Sequence, residues 1–170
     1  MDIPVLDFPV LSLFLIIPLV GAILTLFMGG KREKYAKFVA TIAAVATLGF
    51  AIYMLLVDSS KYGEFTESHV WIEAAILKMN YILAIDGLSI LMVFLTALLV
   101  LVVIIFSYGE GDRPNYFHTL LLAMEVGLMG VYLSADYFLF YIMWEVTLIP
   151  MFFMISWYGG PRRQIGRAHV

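Results

Sequence analysis

The chain has 170 residues, of which 63% are hydrophobic and 14% charged, and its formal net charge at pH 7 is −3. Soluble domains are nearer half apolar and a quarter charged, so this composition excludes a soluble domain and indicates an integral membrane protein. The sequence contains no cysteine, which excludes disulfides and thiolate ligation of zinc or iron–sulfur clusters within it.

Two apolar segments separated by a basic loop open the chain. The N-terminal residues carry no Lys or Arg, the wrong charge for a signal peptide, so the first segment, about 8–28, is predicted to be a span, kinked at Pro18. The loop 31–37 is strongly basic, which predicts that it is cytoplasmic and that the N-terminus lies outside. The second span, about 38–57, then crosses back.

The longest polar interval follows, over residues 58–84, and its acidic balance fits an outer segment. Its second half, from His69 to Ile85, is too apolar for a disordered linker. Periodicity does not distinguish a strand, a hairpin and an interfacial segment with Trp71 and Tyr81 at headgroup level.

Three further spans are predicted, at about 88–108, 116–133 and 137–157. Asp86 and Asp136 precede the first and last of them and are expected to be helix N-caps. Alternation places 159–163 in the cytoplasm. Five alternating spans predict an all-α, polytopic transmembrane helix bundle over residues 1–163.

An ionisable residue, Glu145, lies near the middle of the fifth predicted span. A carboxyl at that depth costs a few kcal/mol, and such residues usually face a bundle interior or a water-filled path. Pro150 leaves the carbonyl of Val146 without its helical donor, and Thr147 adds a hydroxyl at the same level. We interpret Glu145 as part of a proton path, with Pro150 and Thr147 in supporting positions.

A second carboxyl, Glu125, lies ten residues before Ala135 in the turn, and Glu145 lies ten residues after it. Both are therefore expected about 15 Å from the turn on adjacent helices. If they approach each other, at least one should hold its proton at neutral pH. The alternative for each is a structural carboxyl hydrogen-bonded between helices, and Glu125 is the second candidate of the two.

The sequence offers no metal or cofactor site of its own. Its three histidines are scattered without the spacing of metal ligands, and no phosphate loop or dinucleotide fingerprint is present. His118, at the inner end of the fourth span, is expected to be interfacial. Any redox cofactor would belong to another subunit.

Several motifs together resemble one known family. They are Ile-Asp-Gly-Leu-Ser at 85–89, Ala-Asp-Tyr-Phe-Leu-Phe-Tyr at 135–141, Trp-Glu-Val-Thr-Leu-Ile-Pro-Met at 144–151 and Trp-Tyr-Gly-Gly-Pro-Arg-Arg at 157–163. The chain resembles the N-terminal third of the M-type (chain 4) antiporter-like subunit of respiratory complex I. The first motif is shared with sibling antiporter-like subunits, whereas the third is more specific.

The resemblance implies a proton-translocating, non-redox membrane subunit of an NADH:quinone oxidoreductase, without a catalytic redox site on this chain. It implies a fold of about fourteen helices that contains inverted repeats. Flavin and iron–sulfur clusters would lie on partner subunits, and contact with quinone would be indirect. Glu145 matches the family's glutamate on the fifth helix, which pairs with a lysine on a later broken helix.

Family members are much longer, so the chain is expected to be an N-terminal fragment. The tail Gln-Ile-Gly-Arg-Ala-His-Val at 164–170 is also the translation of a common sequencing adapter. We therefore expect the tail to be adapter-derived, and Arg167 and His169 to have no functional role.

Two alternatives to this interpretation remain. Subunits of multisubunit cation/proton antiporters and of membrane-bound hydrogenases share the same helix pair. A complete five-helix chain could instead be a structural scaffold. The expected partners are other membrane subunits and the lipid bilayer, with no nucleic acid, and the expected location is a prokaryotic plasma membrane.

Overall fold

Five apolar α-helices and a β-hairpin form the computed structural model, which describes residues 9–28, 33–73, 78–109 and 114–159. The side chains of 33, 34, 71–79 and 109 are not described. The elements are α1 (Leu13–Leu26), α2 (Glu33–Leu56), β1 (Glu67–Glu73), β2 (Lys78–Leu83), α3 (Gly87–Phe106), α4 (Pro114–Leu133) and α5 (Tyr137–Tyr158).

The predicted all-α membrane bundle is confirmed. Helices α2 to α5 are each long and apolar enough to cross a membrane. Helix α1 has 14 residues, about 21 Å, and is shorter than a hydrocarbon core of about 30 Å. The sequence predicted that this span begins at about residue 8, which lies outside the described residues. In the structure, Val10–Ser12 form a turn and the helix begins only at Leu13. Pro18 is buried inside α1 and does not end it.

Helix α4 lies at the centre of the bundle and contacts the other four helices. Its neighbours approach closely because small residues face it: a Cβ built on Gly21 of α1 would lie 3.1 Å from Leu122 Cδ1 of α4 and 2.6 Å from Ala43 Cβ of α2. Helix α5 packs against α4 but buries only Leu139, Thr147 and Pro150. One side of α4 is therefore enclosed by α1 to α3, and the other is covered by a largely exposed helix.

The interval before α3 forms an antiparallel hairpin, which decides between the alternatives left open by the sequence. The hairpin is tied to the turn between α4 and α5: Ala84 N donates to Leu133 O and Ala135 N donates to Ile82 O, each at 2.9 Å. We call this the hairpin end of the bundle, and the opposite end, after the charges of loop 31–37, the basic end. Tyr81 is half-buried, and burial raises the pKa of its hydroxyl.

Both predicted aspartate N-caps are present. Asp86 Oδ1 accepts hydrogen bonds from the N–H groups of Ser89 at 2.6 Å and Leu88 at 2.9 Å. These bonds hold the pKa of Asp86 below its usual value, and the bond from Ser89 N has the largest effect. Asp136 caps α5 in the same way, accepting from Phe138 N at 2.8 Å and Leu139 N at 3.2 Å. The two caps fix where α3 and α5 begin.

Helix α1 is capped from outside its own sequence, because its N-cap residue Ser12 makes no side-chain cap. Glu67 Oε1 of β1 accepts from Leu11 N at 2.5 Å and Ser12 N at 3.2 Å, and its Oε2 accepts from Ser12 Oγ at 2.5 Å. Ser12 Oγ also lies 2.9 Å from Tyr81 OH. The hairpin therefore supplies both the cap and the negative charge that favour the start of α1.

Glu67→Gln is expected to destabilise the fold by about 1–2 kcal/mol. The glutamine side chain carries no charge, and its NH₂ group cannot accept the hydrogen bond that one of the two carboxylate oxygens of Glu67 accepts. Thermal unfolding in detergent would measure the change. Glu64→Gln is the matched control, since Glu64 is exposed in the same segment. Equal stability of the two variants would contradict the capping role.

Candidate functional site

Glu125 is the most deeply buried carboxyl among the residues that the structure describes. It lies near the middle of α4 with 0% of its side chain exposed, and neither carboxyl oxygen has a hydrogen-bond partner. An ionised carboxylate in such a place costs several kcal/mol. Buried polar atoms without partners are rare in proteins, so Glu125 requires a water, a proton or a cation that its protein surroundings do not supply.

Glu145 occupies a different environment. It is exposed on α5, and the hydroxyl of Tyr141, one turn nearer the hairpin end, lies close enough to interact with its carboxyl group. Large apolar side chains surround it on the same exposed helix, including Trp144 and Ile149. Within the described chain, nothing covers this face of α5 at the level of the carboxyl.

The structure does not bring the two carboxyls together. The contacts between α4 and α5 pair Gly127 with Thr147 and Gly130 with Met143. This register places Glu125 opposite residues 148–149, so Glu145 lies about one turn, roughly 5 Å, nearer the hairpin end. The equal spacing from Ala135 did not translate into equal depth.

The direction of the side chains separates the carboxyls further. A helical side chain leans toward the N-terminus of its own helix, and α4 and α5 are antiparallel. Glu125 is therefore expected to lean toward the basic end and Glu145 toward the hairpin end, consistent with the interaction of Glu145 with Tyr141. Each carboxyl has its own surroundings.

Thr147 and Pro150 lie on the buried face of α5, not beside Glu145. Thr147 Oγ1 donates to Met143 O at 2.9 Å, and a Cβ built on Gly127 would lie 2.6 Å from that hydroxyl. Glu145 and Thr147 were predicted to lie together at one level of the helix, but they lie on different faces of α5. Residues two positions apart on a helix point in nearly opposite directions. Both residues shape the contact with α4.

His118 is fully buried between helices near the start of α4, at the basic end of the bundle. Its Nδ1 lies 2.5 Å from Pro114 O, and because a carbonyl only accepts, Nδ1 carries the hydrogen. Its Nε2 lies 3.1 Å from Ser107 Oγ, at the end of α3, and the same hydroxyl lies 2.8 Å from Ile104 O. The available sequence signal was the spacing: His118 precedes Glu125 by seven residues, or two helical turns.

Other buried polar side chains accompany His118 at the basic end. Asn115 is 1% exposed, and its Oδ1 has no hydrogen-bond partner. Thr119 Oγ1 lies 2.9 Å from Thr25 Oγ1 of α1 and donates to Asn115 O at 2.8 Å. Polar groups of α1, α3 and α4 thus meet between the basic end and Glu125.

A cleft of about 620 Å³ opens beside this group. Its walls are mainly aromatic and aliphatic side chains from the ends of α3, α4 and α5, and Ser107 is a polar residue among them. The lining residues are Val102, Val103, Phe106, Ser107, Phe117, Trp157 and Tyr158. Ser107, whose hydroxyl contacts His118, is thus one of the residues that line the cleft. Among the described residues, no group of three or more His, Asp or Glu side chains could hold a metal ion.

Comparison with known proteins gives relatives over nearly the whole chain. The chain is 37% identical over 158 residues to F(420)H(2) dehydrogenase subunit M of Methanosarcina mazei, which covers 91% of the chain and 31% of that protein. It is 30% identical over 163 residues to NAD(P)H-quinone oxidoreductase chain 4 1 of Nostoc sp., covering 94% of the chain and 30% of the relative. The chloroplastic chain 4 of Chara vulgaris is 31% identical over 167 residues, covering 92% and 32%.

The chain thus spans about three tenths of the length of these curated relatives. No family model matches it. The membrane-bound sulfane sulfur reductase, an archaeal respiratory membrane complex, contains a chain with the same fold at a TM-score of 0.68 and 18% identity, covering 88% of this chain and 23% of that one. The resemblance drawn from the motifs is confirmed.

Proposed function

Because the chain is a homologue of antiporter-like subunits of the chain 4 and subunit M type over nine-tenths of its length, we propose that it forms part of a proton-translocating membrane subunit of an NADH:quinone oxidoreductase, or of a relative with another electron donor. The chain itself carries no redox step. Its task is to move protons across the membrane, driven by electron transfer in partner subunits.

The observation that carries this proposal is the exposed carboxyl of Glu145 among apolar side chains on α5. A carboxyl in contact with lipid is costly, so this face of α5 is expected to contact further protein. The resemblance supplies the chemistry of that contact, a lysine on a later helix of the full-length subunit. Glu145 would be ionised when the cation is near and protonated when it moves away.

The other candidate residues either position Glu145 or carry protons separately from it. Thr147 and Pro150 hold α5 against α4, which sets the direction of Glu145. Glu125 is a second proton-carrying group, in a separate and fully enclosed environment.

The remaining parts of the proposal concern orientation and partners. The basic loops favour a cytoplasmic basic end, with the N-terminus outside, in a prokaryotic plasma membrane. Partner subunits hold the flavin and iron–sulfur clusters, and contact with quinone is indirect. The relatives are dehydrogenase and oxidoreductase subunits, so they do not favour the antiporter or hydrogenase alternative.

The test is Glu145→Gln in the full-length subunit, assembled in its complex and reconstituted into liposomes. We expect proton translocation to fall about tenfold or more, since glutamine cannot exchange a proton. Glu145→Asp, which keeps the acid, should retain part of the rate. Electron transfer with a soluble acceptor, measured separately, reports whether the redox arm is intact.

Glu64→Gln is the control, because Glu64 is exposed outside the helices α1 to α5. Unchanged rate and stoichiometry of translocation in Glu145→Gln would remove Glu145 from the mechanism and the main support for the proposal.

A further inference from the structure

We propose that Tyr141 is a positioning residue for Glu145, whose carboxyl its hydroxyl holds toward the hairpin end of α5 in both protonation states. The carboxyl then meets the cation of the proposed function at one fixed place. This inference rests on the proposed function and adds a residue to the same site.

The first support is the position of Tyr141 on the helix. Side chains three and four positions apart are neighbours on the surface of an α-helix. The neighbours of Glu145 are Tyr141, Ile142, Leu148 and Ile149. Only the tyrosine among them carries a hydrogen-bonding side chain, and its hydroxyl lies close enough to interact with the carboxyl. Helical side chains lean toward the N-terminus, which is the side of Glu145 on which Tyr141 lies.

The second support is the direction of Glu145 relative to α4. Glu145 lies midway in the sequence between Met143 and Thr147, the two residues that contact glycines of α4. Residues two positions apart on a helix point in nearly opposite directions, so the carboxyl points away from α4. The polar side chains of α4 therefore lie on the other side of α5. The polar neighbour on its own helix, Tyr141, is left to bind the carboxyl.

The third support is a contact that restricts the ring of Tyr141. The rings of Tyr141 and Trp144 have centroids 6.1 Å apart, and their planes are tilted by 57°. Aromatic pairs attract each other at centroid separations of about 4.5–7 Å. Both rings are half-exposed, so this contact limits the rotamers that the tyrosine would otherwise sample. The hydroxyl is thus held one turn from the carboxyl.

A tyrosine hydroxyl can serve both protonation states of a carboxyl, because it is a donor and an acceptor. It donates to the ionised carboxylate and accepts from the protonated acid, and it keeps its own proton in both cases. Hydrogen bonds to an ionised group are roughly twice as strong as neutral ones. The contact therefore favours the ionised carboxylate and helps Glu145 to give up its proton as the cation approaches.

The direction in which the carboxyl is held has a consequence for translocation. Tyr141 lies one turn nearer the hairpin end than Glu145. With a cytoplasmic basic end, as proposed from the loop charges, the hairpin end faces the outer side of the membrane. Tyr141 therefore holds the carboxyl toward the side on which the protons leave.

The test compares Tyr141→Phe with Tyr137→Phe in the full-length subunit, assembled in its complex and reconstituted into liposomes. Phenylalanine keeps the ring that packs on Trp144 and removes only the hydroxyl. We expect proton translocation in Tyr141→Phe to fall about threefold to tenfold, because the carboxyl loses its fixed place. Tyr137 is the matched control, since it is an exposed tyrosine of the same helix two turns from Glu145. Tyr137→Phe should translocate at the wild-type rate.

Infrared difference spectra between acidic and alkaline pH separate positioning from a structural role. The C=O stretching band of protonated Glu145 is assigned by its absence in Glu145→Gln. We expect this band to move to higher wavenumber in Tyr141→Phe, because the C=O bond stiffens when the carboxyl loses a hydrogen bond. The band should stay in place in Tyr137→Phe. If Tyr141→Phe does not assemble, Tyr141→Leu replaces it and should show the same loss and the same band shift.

A double variant shows whether Tyr141 acts through Glu145. Glutamine at position 145 cannot ionise, so removal of the hydroxyl has no carboxylate left to affect. Tyr141→Phe combined with Glu145→Gln should therefore lose no more translocation than Glu145→Gln alone.

Wild-type translocation in Tyr141→Phe, an unmoved band, or additive losses in the double variant would each overturn the positioning role. Glu145→Gln separates this outcome from failure of the proposed function. Loss in Glu145→Gln with wild-type translocation in Tyr141→Phe leaves the function standing and removes the role of Tyr141. Wild-type translocation in both would remove the function as well.

Discussion

Gly127→Ala is expected to disrupt the contact between α4 and α5 and to lower the yield of folded protein several-fold. A Cβ at Gly127 would lie 2.6 Å from Thr147 Oγ1, 3.0 Å from Thr147 N and 3.1 Å from Thr147 Cα. Two of these atoms are backbone, so the clash cannot be relieved by turning a side chain. Overpacking of this kind costs about 1–3 kcal/mol. Thermal unfolding and size-exclusion chromatography in detergent would measure it.

Two other glycines make the comparison specific. Gly49 of α2 has no atom within 4 Å of an added Cβ, so Gly49→Ala should be neutral or stabilising, as alanine favours helix by up to about 1 kcal/mol. Gly130→Ala should be intermediate, because the two atoms nearest to its added Cβ are Cγ and Sδ of Met143, which can move by a change of rotamer. Equal stability of Gly127→Ala and Gly49→Ala would show that the fold does not depend on the close approach of α4 and α5.

Glu125→Met is expected to abolish most proton translocation while leaving the fold as stable as before, or more stable. Methionine fills a similar volume and removes a buried carboxyl whose oxygens have no protein partner. Replacing buried polar groups with apolar ones of the same shape is often neutral or stabilising. Loss of the proton-carrying group should lower translocation about tenfold or more.

Leu122→Met in the same helix is the control, since it keeps an apolar side chain of similar size at a fully buried position. It should change neither stability nor translocation. A large loss of stability in Glu125→Met alone would instead support the structural alternative, a carboxyl that holds helices together.

The helices themselves could be predicted from the sequence, because a chain inside a bilayer must satisfy its backbone hydrogen bonds within each segment. Helices α2 to α5 follow from their apolar length, and Asp86 and Asp136 mark the start of α3 and α5 through local hydrogen bonds. Such signals depend on residues a few positions apart.

The short α1 could not be predicted in this way. Its start is set by Glu67 from the hairpin, 55 residues beyond Ser12, and no local pattern reports a contact over that separation. The hairpin was one of three alternatives for the same reason, since its pairing with the turn between α4 and α5 is a tertiary contact.

The sequence by itself determined that the protein is a membrane helix bundle, which family it is homologous to and which two helices carry a carboxyl near their middle. Only the tertiary structure decided that Glu125 is enclosed while Glu145 is exposed, and that His118 is buried beside Ser107. The reason is physical: helical spacing fixes which residues share a face, but packing decides what each face meets. Glycine contacts set the register of α4 and α5, and that register, not the distance from the turn, determines the depth of each carboxyl.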